Sequence, residues 1–377
     1  MIPDFTALRA IGWPFSAAPT AGEWADIMAA HPDARPARVV EQHRSGYVVA
    51  EHPEQGFSVE SLPEWQRPRL TPEKRPAVGD WLLIRGEPEH KPKAVALLPR
   101  RSTIKRAAAG EHYGQQLIAA NIDTAFIVCG LDLDFNPRRI ERYLLMVQGG
   151  AQPVVVLTKA DVSGGANGDR ANEARATLAE LDAQDVPVCT VNALDHDSVA
   201  TLHAWLGPGM TAVLVGSSGA GKSTLTNTLV GSERMKTGAV RENDARGRHT
   251  TTHRALISLA SGGCLIDTPG MRELKPTGEE DLAESGFTDI EALARQCRFR
   301  NCQHDQEPGC ALRNAIAAGT LDARRVGNYL KLDSEIAGAA ERLAVRQAQT
   351  TGEKVRRSNT AKRTPKKTPK RGAPKRR

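Results

Sequence analysis

A glycine-rich loop that contains a lysine is the most chemically specific feature of this sequence. It follows the apolar run 211–215 and precedes a helix-like stretch that Gly231 can end. In this setting the glycines let backbone N–H groups surround a phosphate at a helix N-terminus, while Lys222 neutralises phosphate oxygens and Ser223 binds Mg²⁺. The sequence therefore predicts a site for a nucleoside triphosphate with Mg²⁺. The predicted phosphate-binding residues are Gly216, Ser217, Ser218, Gly219, Ala220, Gly221, Lys222, Ser223 and Thr224.

A second motif specifies the base. The residues Thr-Lys-Ala-Asp close the apolar run 154–157. A carboxylate at Asp161 can accept hydrogen bonds from N1–H and the exocyclic amine of guanine, a pair of donors that adenine lacks. A short base-contacting loop is predicted after a later strand. We therefore expect a guanine nucleotide, contacted by Thr158, Lys159, Asp161, Asn192 and Ala193.

The third motif, Asp-Thr-Pro-Gly, has the form of a γ-phosphate switch. Asp267 is expected to hold Mg²⁺ through water, and the N–H of Gly270 to meet the γ-phosphate. The polar segment 247–252 lies between this motif and the phosphate loop, and one of its three threonines is expected to close over Mg²⁺. Thr250 is the assigned candidate, so the predicted magnesium set is Ser223, Thr250 and Asp267.

Three of the six cysteines crowd into fourteen residues together with a histidine. Three thiolates and one imidazole form a closed tetrahedral Zn²⁺ set with no position left for water, which is typical of a structural ion. We therefore predict one structural Zn²⁺ per chain, and reduced cysteines without a metal are the alternative. The predicted ligands are Cys297, Cys302, His304 and Cys310.

The elements that must position these residues indicate an α/β fold. Four runs that are apolar on both faces alternate with helical stretches, which predicts a mainly parallel sheet covered by helices. Five shorter β-rich pieces precede them and predict a small barrel or sandwich. The four runs of the sheet lie at 125–129, 153–157, 188–191 and 211–215, and the earlier pieces at 38–40, 46–50, 57–59, 78–84 and 94–98.

Composition and charge exclude a fibrous, collagen-like or wholly disordered chain. Of 377 residues 25% are charged and 40% hydrophobic, yet 14 of the 51 basic residues and only two of the 44 acidic ones lie in 341–377. That cationic end suits a polyanion. The sequence has neither an apolar run of about 18 residues nor a signal-peptide pattern, so we expect a cytoplasmic protein without a membrane partner.

The order of the motifs indicates circular permutation. In Ras-like GTPases the phosphate loop comes first, whereas here the base-reading segment precedes it. With the predicted barrel, the Gly-Arg-His-Thr-Thr-Thr segment and the Cys-x4-Cys-x-His-x5-Cys spacing, residues 37–329 resemble the bacterial family of ribosome small-subunit-dependent GTPase A. The fold class expected from this resemblance is a circularly permuted P-loop GTPase with an N-terminal OB-type barrel and a C-terminal helical zinc-binding domain.

The resemblance implies GTP hydrolysis to GDP stimulated by the 30S subunit, contact of the barrel and zinc domain with 16S rRNA, and action late in small-subunit maturation. It also carries over His249, beside Lys222 and Thr250, as a catalytic candidate that positions water; a surface contact is the alternative for this histidine. Met271 stands where many GTPases have a glutamine, so slow intrinsic turnover is expected. Thr158 replaces the usual asparagine, which predicts a weaker contact near guanine N7.

The expected domains are an irregular extension that lies over another surface, an RNA-binding OB barrel, the permuted GTPase, a helical zinc domain and a disordered basic tail. Two other functions compete with a GTPase that assists 30S maturation. One is a nucleotide-gated RNA-binding scaffold with little turnover, and the other is a phosphotransferase, which Asp161 disfavours. A monomer is the default. The expected domain ranges are 1–36, 37–106, 107–278, 279–345 and 346–377.

Overall fold

The structure of the chain is a computed structural model. Several sequence-predicted features lie outside the residues that it describes: the segment 247–252 with His249 and Thr250, Gly270, Met271 and the end of the basic tail, 364–377. The described residues are 3–43, 46–67, 70–107, 115–147, 149–182, 185–231, 255–267, 275–282 and 287–363.

The N-terminal extension contains two short helices, α1 (Phe5–Arg9) and α2 (Glu23–Ala30). The prediction of an irregular segment was therefore wrong for these residues, because helices of five and eight residues are too short to display a clear period. The extension does lie over another surface, as expected. Trp13 is fully buried, and its ring centroid lies 4.8 Å from that of Trp81 in an edge-on arrangement.

Five strands form the predicted small barrel. Antiparallel pairing runs in the order β3, β2, β1, β4, β5, and a parallel bridge between Glu60 and Lys93 connects the end of β3 to β5. The barrel interior is apolar and includes Val39, Val49 and Leu82. The strands are β1 (Arg35–His43), β2 (Gly46–His52), β3 (Gln55–Val59), β4 (Trp81–Arg85) and β5 (Lys93–Leu97), with 3-10 turns at Pro63–Gln66, Pro72–Lys74 and Pro88–His90.

The fourth barrel strand starts later than the sequence predicted. The apolar piece 78–84 was expected to be extended throughout, but β4 begins at Trp81. Gly79 has a φ of +94°, and a Cβ there would lie 2.1 Å from the carbonyl oxygen of Ala120. Close backbone approach to the following hairpin therefore requires a glycine turn before the strand. That hairpin consists of β6 (Thr103–Ala107) and β7 (Gln115–Ala120).

The barrel strands continue into a mainly parallel sheet, as predicted, and together they form one sheet of eleven strands. In the mainly parallel part the strands run in the order β10, β9, β8, β11, β13 with parallel pairing, and β12 pairs antiparallel with β13. One antiparallel pair, Glu41 with Ala255, joins β12 to the barrel strand β1. These strands are β8 (Thr124–Gly130), β9 (Gln152–Thr158), β10 (Val188–Thr190), β11 (Thr211–Gly216), β12 (Ala255–Ser258) and β13 (Cys264–Asp267).

Helices cover both faces of this sheet, and each face has its own apolar core. The first of these helices has one apolar face towards the sheet: Ile140, Tyr143 and Leu144 are buried, and so is Val147 just after its end. The helices are α3 (Pro137–Met146), α4 (Asp169–Thr177), α5 (Ala179–Asp182), α6 (His196–Ala200) and α7 (Lys222–Val230), with 3-10 turns at Asp161–Ser163 and Thr201–Trp205.

A buried arginine joins the extension, the barrel and the sheet. Arg38 of β1 has no exposed surface, and its guanidinium donates hydrogen bonds to the carbonyl oxygens of Ile11 (2.5 Å), Gly79 (3.1 Å) and Asn121 (3.0 Å) and to Oγ1 of Thr211 (2.8 Å). Burial lowers the pKa of this guanidinium from its ordinary value, although neighbouring acidic groups oppose the shift. The hydrogen bonds replace the water that the charge has lost.

The C-terminal part is helical, as predicted, and comprises α8 (Thr288–Ala294), α9 (Ala311–Ala317) and α10 (Ala323–Arg363). The helix α10 continues through 346–363, where the sequence had predicted disorder. Alanine, glutamine, glutamate and arginine favour a helix there, and the first proline after the start of α10 is Pro365. Among the described residues, no helix combines the length and apolarity needed to cross a membrane.

The helix α3 belongs to two cores. Most of its apolar side chains pack under the sheet, but Leu145 is fully buried in the core of the C-terminal helices. Polar contacts reinforce this junction, since Arg142 Nη1 lies 2.7 Å from Glu335 Oε2 and Asn328 Nδ2 donates to Glu141 Oε2 at 2.5 Å. The C-terminal helices are therefore anchored on the sheet through α3.

Candidate nucleotide site and metal centre

The predicted phosphate loop lies where the sequence placed it, between β11 and α7. Two of its glycines allow the loop to pack closely against the neighbouring strands β8 and β9. A Cβ at Gly216 would lie 2.2 Å from the carbonyl oxygen of Val128, and Gly221, with a φ of +89°, would place one 3.2 Å from Oγ1 of Thr158. The N-terminal N–H groups of α7 thus have a close-packed loop in front of them, which is the geometry that binds phosphate.

Lys222 extends back over the loop. Its Nζ donates to the carbonyl oxygen of Gly216 at 2.8 Å and also to that of Ser217. Ser223 is half-buried in the first turn of α7, and Asp267 ends the strand next to β11. Because parallel neighbours end at the same edge of a sheet, the lysine, the serine and the carboxylate share one edge. This donor set fits Mg²⁺ bound together with a triphosphate.

The base-reading segment is tied to the phosphate loop. Thr158 is fully buried at the end of β9, and its Oγ1 donates to the carbonyl oxygen of Ala220 at 2.6 Å. Asp161 lies three residues further on, exposed at the start of a 3-10 turn. The threonine is therefore a bridge between two loops, and the neighbouring carboxylate is accessible to a base.

Lys159 adopts a left-handed backbone with a φ of +60° and lies beside an acidic partner. Its Nζ is 2.5 Å from Asp132 Oδ2. Burial acts to raise the pKa of Asp132, but the hydrogen bonds from Lys159 and from the backbone N–H of Asp134, together with the charge of Lys159, outweigh that effect and lower the pKa below its ordinary value. The pair fixes the lysine within the predicted base-reading segment.

The short loop after β10 completes this edge. Asn192 Oδ1 accepts a hydrogen bond from the N–H of Leu194 at 3.0 Å, and the carbonyl oxygen of Ala193 accepts one from Oγ1 of Thr228 in α7 at 2.6 Å. The N–H of Ala160 donates to the carbonyl oxygen of Val191, the residue just before Asn192, at 3.4 Å. The structure thus brings the three predicted loops together: base-reading segment, base-contacting loop and phosphate loop.

Sequence reasoning missed Asp134 at this site, as it missed Asp132. Both carboxylate oxygens of Asp134 lie within hydrogen-bond distance of Ser217 Oγ in the phosphate loop, at 2.7 and 2.6 Å. No motif contains this aspartate. The available signal was topological, because Asp134 follows the end of β8 and strand β8 lies directly beside β11.

The predicted metal cluster is confirmed as a spatial group. The four ligand atoms of Cys297, Cys302, His304 and Cys310 lie within 4.8 Å of one another. Nδ1 of His304 is 3.5 Å from Sγ of both Cys297 and Cys310, and these two sulfurs are 4.0 Å apart. A tetrahedral Zn²⁺ with ordinary bond lengths requires separations of about 3.6 Å for N–S and about 3.8 Å for S–S. The residues therefore fit zinc.

Hydrogen bonds around the cluster hold its loops in shape. The N–H of Ala311, at the start of α9, donates to Sγ of Cys297 at 3.3 Å. Glu307 accepts backbone hydrogen bonds from Gln303 at 2.7 Å and Asp305 at 3.0 Å. These contacts stabilise a thiolate and fold the ligand loop back on itself, as expected of a structural site.

The comparisons with known proteins agree with this geometry. Residues 97–277 match the RsgA GTPase family. Over 348 residues the chain is 67% identical to small ribosomal subunit biogenesis GTPase RsgA of Xanthomonas axonopodis pv. citri, covering 92% of this chain and 93% of that one. The protein of the same name from Xanthomonas euvesicatoria pv. vesicatoria is similar to the same extent.

Two crystal structures have a similar fold. YjeQ from Thermotoga maritima has a TM-score of 0.58 at 21% identity, covering 81% of this chain and 99% of that one. YloQ, described as a circularly permuted GTPase, has a TM-score of 0.56 at 22% identity, covering 82% and 96%. These structures support the permuted fold, and the sequence relatives decide the family: the chain is a member of the RsgA GTPase family.

Proposed function

We propose that this protein hydrolyses GTP to GDP and phosphate on the small ribosomal subunit and assists the late maturation of that subunit. The relatives at 67% identity are named small ribosomal subunit biogenesis GTPases. The single observation that supports the proposed guanine site is the 2.6 Å hydrogen bond from Thr158 to Ala220, because it joins the segment that contains Asp161 to the phosphate loop.

Charge neutralisation at the phosphate loop is the main catalytic contribution that we assign to the described residues. Lys222 would exchange its two carbonyl contacts for β- and γ-phosphate oxygens, and the N–H groups at the start of α7 would bind the β-phosphate. Ser223 and Asp267 would hold Mg²⁺, which supplies further charge stabilisation. We also propose that His249 positions the attacking water and that Thr250 joins the magnesium set.

The other parts of the chain are assigned to the partner. We propose that the barrel (37–106) and the zinc domain (279–345) contact 16S rRNA around the GTPase domain (107–278), with one structural Zn²⁺ per chain. The protein is proposed to act as a cytoplasmic monomer. These assignments rest on the family, on the predicted ranges and on the zinc-compatible cluster.

GTP hydrolysis with and without purified 30S subunits tests the proposal. Lys222→Ala and Ser223→Ala are expected to abolish turnover, because each removes a phosphate or magnesium contact. Wild-type protein should be slow alone and faster with subunits. If both variants retained wild-type turnover, the proposal that this site hydrolyses GTP would be wrong. Binding of subunits without any stimulated turnover would instead support a nucleotide-gated scaffold.

A further inference from the structure

The loop between β8 and α3 places a carboxylate on the phosphate loop. Ser217 Oγ lies 2.7 Å from Oδ1 and 2.6 Å from Oδ2 of Asp134, and the Asp134 side chain is only 15% exposed. A hydroxyl has one proton to donate and an ionised carboxylate can only accept, so the direction of this hydrogen bond is fixed. Hydrogen bonds to a charged acceptor are stronger than neutral ones.

The carboxylate is itself held in place. Arg139 Nη1 lies 2.5 Å from Asp134 Oδ1, and the N–H of Gly130 donates to Oδ2 at 3.4 Å. Asn136 caps α3 through a hydrogen bond from the N–H of Arg139 at 3.3 Å. Because α3 is packed into two cores, the loop that carries Asp134 starts from a fixed strand and ends in a fixed helix.

The pairing with Arg139 decides how Asp134 can act at an anion-binding loop. An unpaired carboxylate would repel phosphate, whereas Arg139 balances its charge. What remains is an acceptor of fixed position next to the first residues of the loop. We propose that Asp134 is a positioning residue that holds the phosphate loop in its binding geometry through Ser217. The inference rests on the proposed GTPase function, because it concerns the same loop.

A mutant cycle on the full-length protein tests this proposal, with the Kd for GDP and GTP as the measurement. Asp134→Ala and Ser217→Ala are each expected to raise the Kd about tenfold, the loss of one charge-assisted hydrogen bond. The double variant should bind as weakly as either single one. Asp134→Asn keeps an acceptor oxygen for Ser217 and is expected to stay within about threefold of wild type.

The matched control is Asp33→Ala, which removes an aspartate from an exposed pair with Arg85 of the barrel and should leave both Kd values unchanged. Equal increases of the Kd in Asp134→Asn and Asp134→Ala would show that the charge of Asp134 matters and not its acceptor oxygen. Additive losses of binding free energy in the double variant would show that Asp134 and Ser217 act independently. Either result overturns the proposal, as does wild-type affinity in Ser217→Ala. Should Asp134→Ala fail to fold, Ser217→Ala and Asp134→Asn decide the question.

The result is separable from the proposed function. Lys222→Ala tests whether the loop supports GTP turnover at all, and its outcome does not depend on Asp134. An active wild-type enzyme whose Asp134 variants bind normally would remove the positioning role alone. An inactive wild-type enzyme that still shows the coupled loss of nucleotide affinity would keep the positioning role and remove the hydrolytic function.

Discussion

Replacing Thr158 with valine is the sharpest test of how the base-reading segment and the phosphate loop are coupled. Valine has the shape of threonine but no hydroxyl, so Thr158→Val removes the 2.6 Å hydrogen bond to Ala220 with little change in packing. The site is fully buried, and the orphaned carbonyl group loses a partner that water cannot readily replace. Such a change costs about 1–3 kcal/mol.

Two measurements follow from that magnitude. For a domain of this size, each kcal/mol lowers the thermal midpoint by about 2–4 °C, so a decrease of about 2–12 °C is expected by circular dichroism. Part of the same free energy is lost from nucleotide binding, because GTP must then order the loop itself. A loss of 1.4 kcal/mol corresponds to a tenfold higher Kd. Thr158→Ser keeps the hydroxyl and should retain most of the affinity.

The chain offers a matched control at the other end of the adjacent strand. Thr124, the first residue of β8, is also fully buried, but within the described part of the chain its Oγ1 has no hydrogen-bond partner. Thr124→Val should therefore be neutral or stabilising, since it replaces an unsatisfied hydroxyl with a methyl group. If Thr158→Val matched Thr124→Val in both midpoint and Kd, the bridge would have no energetic role.

Three further predictions concern the base, the metal and the basic end. Asp161→Asn presents a donor to guanine's own donors, so nucleotide competition should show preference moving towards xanthine nucleotides; unchanged GTP selectivity would contradict the assignment. Metal analysis should find one Zn²⁺ per chain, and Cys302→Ser should lose it and destabilise the C-terminal helices while nucleotide binding persists; zinc-free protein purified without chelator would exclude the site. Deleting 351–377 should weaken 30S binding most at low salt and flatten its salt dependence by about 0.7–0.9 per lost phosphate contact, whereas identical slopes would assign this segment another role.

The placement of the phosphate loop beside the other predicted loops could be anticipated because each motif is local in sequence. A phosphate loop needs glycines, a lysine and a serine at fixed spacing, and the strand before it is apolar on both faces. The same holds for the zinc ligands, which lie within fourteen residues. Asp134 could not be found in this way, because its role depends on which strands are neighbours. The order of strands in a sheet is a tertiary property, and β8 lies beside β11 although 80 residues lie between the end of β8 and the start of β11.

Local composition also misled in two places. The basic tail was predicted to be disordered from 346 onward, yet α10 continues to Arg363. Helix propensity of alanine, glutamine and arginine counts there as much as charge does. The piece 78–84 was read as one strand from its apolar residues, but Gly79 turns because the hairpin carbonyl of Ala120 approaches it. The pattern of hydrophobic residues alone reveals neither the approach of Ala120 to Gly79 nor the helix propensity of the basic tail.

The buried guanidinium of Arg38 has a consequence for how the molecule unfolds. Its four acceptors come from separate stretches of chain: Ile11, Gly79, Asn121 and Thr211. If any one of these stretches detached, a charge with no exposed surface would lose a partner before water reached it, which is costly. The barrel, the N-terminal extension and the start of the phosphate-loop strand therefore form one cooperative unit, whose melting is expected as a single transition. A change that destabilises the barrel therefore also destabilises Thr211, the first residue of the strand that ends in the phosphate loop.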